Sequence, residues 1–120
     1  MSTLQLRASD GNTLSAYVVK PEGTPRGAVV VVQEIFGVNS HIRRLVEQYA
    51  GEGYVAIAPA MFDRFQKDVD LGYDAKGIEQ GVGLMMRTTN ASTLADLYAA
   101  ITTVSHAGRV GMVGYCWGGR

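Results

Sequence analysis

Residues Ala28 to Val32 read Ala-Val-Val-Val-Val. A continuous, mostly β-branched run with no polar residue alternating into it is the pattern of a strand buried on both faces. The rest of the chain is therefore read for strands that would flank this one and helices that would cover it.

Leu4 to Arg7 and Leu14 to Val19 have the look of two short strands, joined by the turn sequence Ser9-Asp10-Gly11-Asn12. Lys20 to Gly27 carries Pro21 and Pro25 and reads as a loop. Asn39 or Ser40 can cap a helix in which Ile42, Leu45, Val46, Tyr49 and Ala50 recur at helical spacing. Gly51 and Gly53 stop that helix. Tyr54 to Ala58 is a second apolar strand, ended by Pro59. Thr93-x-x-Asp96 resembles a capping signal, and the helix it predicts places Leu94, Leu97, Tyr98, Ile101 and Val104 on one face. Gly108 ends it, and Val110 to Val113 is the next strand. Strands alternating with helices imply parallel pairing through right-handed crossovers, hence an α/β fold with an antiparallel amino-terminal hairpin.

Between Met61 and Asn90 the pattern is weaker. A helix over Ala75 to Arg87 would carry Ile78, Val82, Met85 and Met86 on one side, although Gly77, Gly81 and Gly83 each cost a helix interior about 1 kcal/mol relative to alanine. The stretch follows the carboxyl end of a strand, where open parallel sheets place ligand-contacting loops, and it is read as a pocket wall.

Composition narrows the function classes. The chain has 120 residues, enough for one domain at most, with 47% hydrophobic residues to fill a core. Eleven basic and eleven acidic side chains leave no basic surplus of the kind a nucleic-acid or membrane-surface binder carries. No apolar run approaches the ~18–20 residues of a membrane span, and the first residues lack a signal-peptide pattern. The single cysteine, Cys116, excludes an intrachain disulfide framework and fits a reducing, cytoplasmic setting.

That cysteine lies in the most informative segment, Gly114-Tyr115-Cys116-Trp117-Gly118-Gly119-Arg120. A strand running straight into Gly-x-Cys-x-Gly-Gly is a nucleophile elbow with cysteine in place of serine. The nucleophile of such an elbow occupies a sharp strand-to-helix turn, where side chains two residues to either side would collide; glycines at 114 and 118 remove them. The turn aims the sulfur into a cleft at the start of a helix, whose dipole favours a thiolate. The Trp117 backbone N–H would then form one half of an oxyanion hole. The other half is expected from the loop after Ala28–Val32, which reads Gln33-Glu34-Ile35-Phe36-Gly37 and puts a carboxylate directly beyond a buried strand.

Gln-Glu-Ile-Phe-Gly followed by a helix, and Val-Gly-Tyr-Cys-Trp-Gly-Gly about eighty residues later, together resemble the dienelactone hydrolase family of α/β-hydrolases. The resemblance implies a mostly parallel sheet flanked by helices. It implies hydrolysis of a small carboxylic ester or lactone through a thioester acyl-enzyme, with no metal and no cofactor. Residue by residue, Cys116 matches the family nucleophile, and Glu34 matches a carboxylate that contacts the resting thiol and exchanges partners when substrate arrives. Ile35 and Trp117 match the two positions whose backbone N–H groups receive the oxyanion. A carboxylate beside the sulfur opposes the thiolate by charge, so its expected use is gating. The family also uses an aspartate and a histidine that follow the nucleophile in the chain. Nothing follows Arg120 here, and the expectation is that residues 1–120 are the amino-terminal part of a single α/β-hydrolase domain, with a carboxy-terminal fragment of the same enzyme as the partner that supplies both groups.

Several blander or different readings stand beside this one. His41, in the first turn of a helix, and His106, closing another, are expected to be surface or capping residues. Arg64, Tyr73, Lys76 and Arg87 are candidates for holding a substrate carboxylate, with no secure match in the family. A thiol redox protein would explain one reactive cysteine, but Cys-x-x-Cys is absent. A dinucleotide-binding module would need a third glycine where Met86 follows Gly81-Val82-Gly83. An α/β-hydrolase fragment without activity is the remaining alternative.

Overall fold

A computed structural model describes residues 2–114. Five strands are found among them: β1 (Ser2–Arg7), β2 (Thr13–Val19), β3 (Ala28–Val32), β4 (Val55–Pro59) and β5 (Val110–Gly114). They form one sheet in the order β1-β2-β4-β3-β5. β1 and β2 are an antiparallel hairpin, β2 runs antiparallel to β4, and β3 pairs in parallel with both β4 and β5. The helices are α1 (Ser40–Gly51), α2 (Ala75–Arg87) and α3 (Asn90–Val104), the last running into a short 3-10 turn at Ser105–Ala107.

The β-branched run behaves as its sequence requires. All five residues of β3 are buried. Val29 and Val31 pack with Ile42 and Val46 of α1 on one face, while Ala28, Val30 and Val32 pack with Ala100 and Val104 of α3 on the other. Each fully buried valine contributes on the order of 1.5–2 kcal/mol through area removed from water. The side chain of Asn39 caps α1 by accepting from Ile42 N–H, as the sequence suggests.

Two helices differ from expectation in which face they bury. In α2 the core-facing residues are Gly77, Gly81 and Leu84, while Ile78, Val82 and Met86 are exposed, Met86 by 76%. The reason is steric. A Cβ at Gly77 would overlap the Gly72 carbonyl, and one at Gly81 would overlap the Ile35 carbonyl, so only glycine lets the helix lie this close to other backbone. α3 starts at a cap four residues earlier than Thr93: Thr89 and Ser92 satisfy each other's backbone N–H groups in a capping box. Asp96 is not at a helix start but buried in the interior, and Leu94 and Tyr98 face outward. In α3 the fully buried stripe is Asp96, Ala100 and Val104, with Leu97 and Ile101 of the expected face packed beside it. Among the described residues no helix is long and apolar enough to cross a membrane.

Candidate active site

The Asp96 carboxylate is nearly inaccessible at 2% exposure and is held by Arg64 Nη2 at 2.8 Å and Asn12 Nδ2 at 3.1 Å. Arg64 also grips Asp10 at 2.7 Å. This guanidinium hydrogen bond, helped by the Asn12 backbone N–H, holds the Asp10 carboxyl below its usual range, and the two carboxylates hold Arg64 above its own. Arg64 is thus committed to joining the β1–β2 turn to α3 and is not free to take a substrate carboxylate. Arg87 lies over the Phe65 ring at 4.7 Å, and Tyr73 accepts a hydrogen bond from Asn39 Nδ2 at 3.0 Å.

The carboxyl end of β3 leads into Glu34 and Ile35, two of the expected residues. Its parallel partner β5 is registered so that Val32 faces Gly114. Glu34 and the strand that leads into Cys116 therefore come to the same end of the sheet, side by side. His106 precedes the opposite, amino end of β5, five strand residues away or roughly 15 Å, so it is remote from Glu34. Cys116 and Trp117 themselves lie outside the described residues.

The loop beyond β3 is a tight turn. Gly37 N–H donates to the Glu34 carbonyl at 3.3 Å, and Gly37 has φ +92°, in the left-handed region that favours glycine. A Cβ there would also overlap the Val69 carbonyl. The turn is held from several directions. Leu71 N–H donates to the Phe36 carbonyl at 2.9 Å, and the Phe36 ring meets Tyr73 edge-on with centroids 4.5 Å apart. Ile35 is buried and stands against Gly81 of α2. Glu34 is half-buried, with its side chain next to this clamped backbone. A cleft of about 250 Å³ opens beside the turn, lined among others by Gln33, Val38, Arg43, Val69 and Asp70.

Gln33 was not singled out by sequence reading. It is 1% exposed. Its Oε1 accepts from Met61 N–H at 2.8 Å and its Nε2 donates to the Glu34 carbonyl at 3.0 Å. It opens the Gln-Glu-Ile-Phe-Gly motif, but the motif assigns it no role; its burial depends on β4 ending beside β3. Gly81 likewise gave only a signal of helix weakness, because the backbone that approaches it is distant in sequence.

Comparison with known proteins agrees with this architecture. Residues 14–120 match the dienelactone hydrolase family. The carboxymethylenebutenolidase of Pseudomonas putida is 35% identical over 97% of this chain and 51% of its own length. A Synechocystis sp. protein provisionally named a carboxymethylenebutenolidase is 42% identical over 88% of this chain and 46% of its own length. The crystal structure of a Klebsiella pneumoniae protein, provisionally named a dienelactone hydrolase, superposes with a TM-score of 0.77 at 32% identity, covering 100% of this chain and 52% of that one. The chain spans about half the length of the curated relatives it matches.

Proposed function

The chain belongs to the dienelactone hydrolase family, and on that premise we propose that it forms the amino-terminal part of a hydrolase acting on a small carboxylic ester or lactone through Cys116. The observation that carries the reading is the parallel register of β3 and β5, which sets Glu34 and the strand leading to Cys116 at one end of the sheet.

In the proposed reaction the Cys116 thiolate attacks the substrate carbonyl carbon, and the carbonyl π electrons move onto oxygen. The Ile35 and Trp117 N–H groups receive that oxyanion. Its collapse expels the alkoxide, which takes a proton and leaves as alcohol, or stays tethered when a lactone ring opens. Water then attacks the thioester, releasing the acid and restoring the thiol. Glu34 gates the first step, because a carboxylate beside the sulfur disfavours the thiolate until substrate displaces it. A carboxy-terminal segment supplies the Asp and His that relay protons in the water step.

The test is multiple turnover of a chromogenic ester. Residues 1–120 assembled with a carboxy-terminal half are expected to turn over, with activity lost in Cys116→Ala and sharply lowered in Cys116→Ser, since a hydroxyl needs a stronger base than a thiol. Residues 1–120 on their own are expected to give a slowly deacylating thioester at most. Turnover that survives Cys116→Ala would refute the reading.

A further inference from the structure

We propose that Gln33 is the positioning residue for the oxyanion donor. Its side-chain amide, strung between Met61 N–H and the Glu34 carbonyl, sets the Glu34–Ile35 peptide plane and with it the direction of Ile35 N–H. The inference rests on the hydrolase reading above and names a residue through which the site is aimed.

The geometry follows from hydrogen-bond chemistry. Met61 N–H is a donor, so the Gln33 atom that faces it at 2.8 Å is the oxygen. The amide NH2 is left to face the Glu34 carbonyl at 3.0 Å. That carbonyl also receives Gly37 N–H at 3.3 Å. In a planar trans peptide the C=O and the following N–H point in opposite directions. Two donors on the Glu34 oxygen therefore fix where Ile35 N–H points, away from them.

Two further observations support an aimed donor. Ile35 is buried, yet among the described residues none accepts from its N–H, whereas buried backbone N–H groups as a class are paired. The next carbonyl, that of Ile35, lies so close to Gly81 of α2 that a Cβ there would overlap it, which limits how far the backbone on that side of Ile35 can move. Gln33 itself is anchored at β4's exit through Met61 and at the end of β3 through its own backbone. Misplacement of an oxyanion donor by even a small angle weakens a bond that exists only in the transition state, so the effect belongs in kcat.

The experiment compares Gln33→Leu and Gln33→Glu with the parent, in the assembled hydrolase. Gln33→Leu is expected to lower kcat for the chromogenic ester at least about tenfold with KM within about threefold. Gln33→Glu keeps the acceptor for Met61 N–H but, when ionised, cannot donate to Glu34. Its kcat relative to the parent is expected to be depressed at neutral pH and to recover as the pH falls and the carboxyl gains its proton. This variant also covers the case in which Gln33→Leu fails to fold. A second readout needs no turnover: the Ile35 amide resonance is expected to shift and its hydrogen exchange to quicken selectively in both variants. Unchanged kcat ratios and an unmoved Ile35 amide in variants that fold would overturn the proposal. Absence of Cys116-dependent turnover in the parent would instead sink the hydrolase reading, and the Ile35 amide would then decide the positioning role by itself.

Discussion

Val32 and Gly114 are register partners in the parallel pairing of β3 with β5, and each stands two residues before a residue singled out for chemistry, Glu34 and Cys116 respectively. Equal offsets from a paired rung mean that a change at either strand end is felt by both sides of the proposed site. Val32 is buried, whereas Gly114 lies on β5 at the edge of the described sheet and is partly exposed.

Glu34→Gln is expected to change the pH dependence of Cys116 alkylation by iodoacetamide. If Glu34 stands beside the sulfur as proposed, removing its negative charge favours the thiolate, so the alkylation midpoint moves to lower pH, on the order of one unit. Identical alkylation profiles in the two proteins would end the gating role.

Gly81→Ala and Gly83→Ala are expected to move stability in opposite directions, although both sit in α2. Nothing lies within 4 Å of a Cβ at Gly83, so alanine there gains helix propensity and stabilises by about 0.5–1 kcal/mol. At Gly81 the same substitution collides with the Ile35 carbonyl and is expected to destabilise by about 1–3 kcal/mol. Urea denaturation of the two variants reads the difference in sign.

Arg64→Leu is expected to destabilise by about 3–5 kcal/mol, because it strands the buried Asp96 carboxylate. Replacing both Arg64 and Asp96 by apolar residues of similar size is expected to cost less than Arg64→Leu alone. A larger loss in the double variant would mean that the pair itself, rather than the orphaned charge, dominates.

Acid stability should depend on Asp10. Arg64 holds its carboxyl below the ordinary value of 3.8. A depressed folded-state value gives stability that is present above 3.8 and is lost as pH falls through the lower, folded value. Asp10→Asn is therefore expected to be less stable than the parent at neutral pH, with the gap closing as the pH drops below 3.8. Thermal midpoints measured down the acid limb check the convergence.

The strands and the ranges of α1 and α2 were legible because their signals are local, whereas the start of α3 was read four residues late. The buried run of β3, the Asn39 cap and even the glycine-weakened α2 are found where their residues predict. The faces of α2 and α3 were not legible. Apolar spacing favoured Ile78, Val82, Leu94 and Tyr98, but what a helix buries depends on what approaches it. Gly77 and Gly81 are inward because backbone from Gly72 and Ile35 comes that close, and Asp96 is inward because Arg64 arrives from a loop thirty-two residues earlier to pair with it. The site divides in the same way. Glu34 and Ile35 follow from the motif and the end of a strand, whereas Gln33 acquires its place only once β4 delivers Met61 N–H.

The segment from Val69 to Gly81 touches the Glu34–Gly37 turn at Gly37, Phe36 and Ile35 in succession. Those contacts are backbone against backbone or against a missing Cβ, so side-chain repacking cannot absorb a displacement. Turn and segment form one mechanical part. A substrate-range graft that swaps residues 61–81 from a relative without residues 33–37 would carry a mismatch straight into the site. A graft that moves both stretches as a unit keeps the fit.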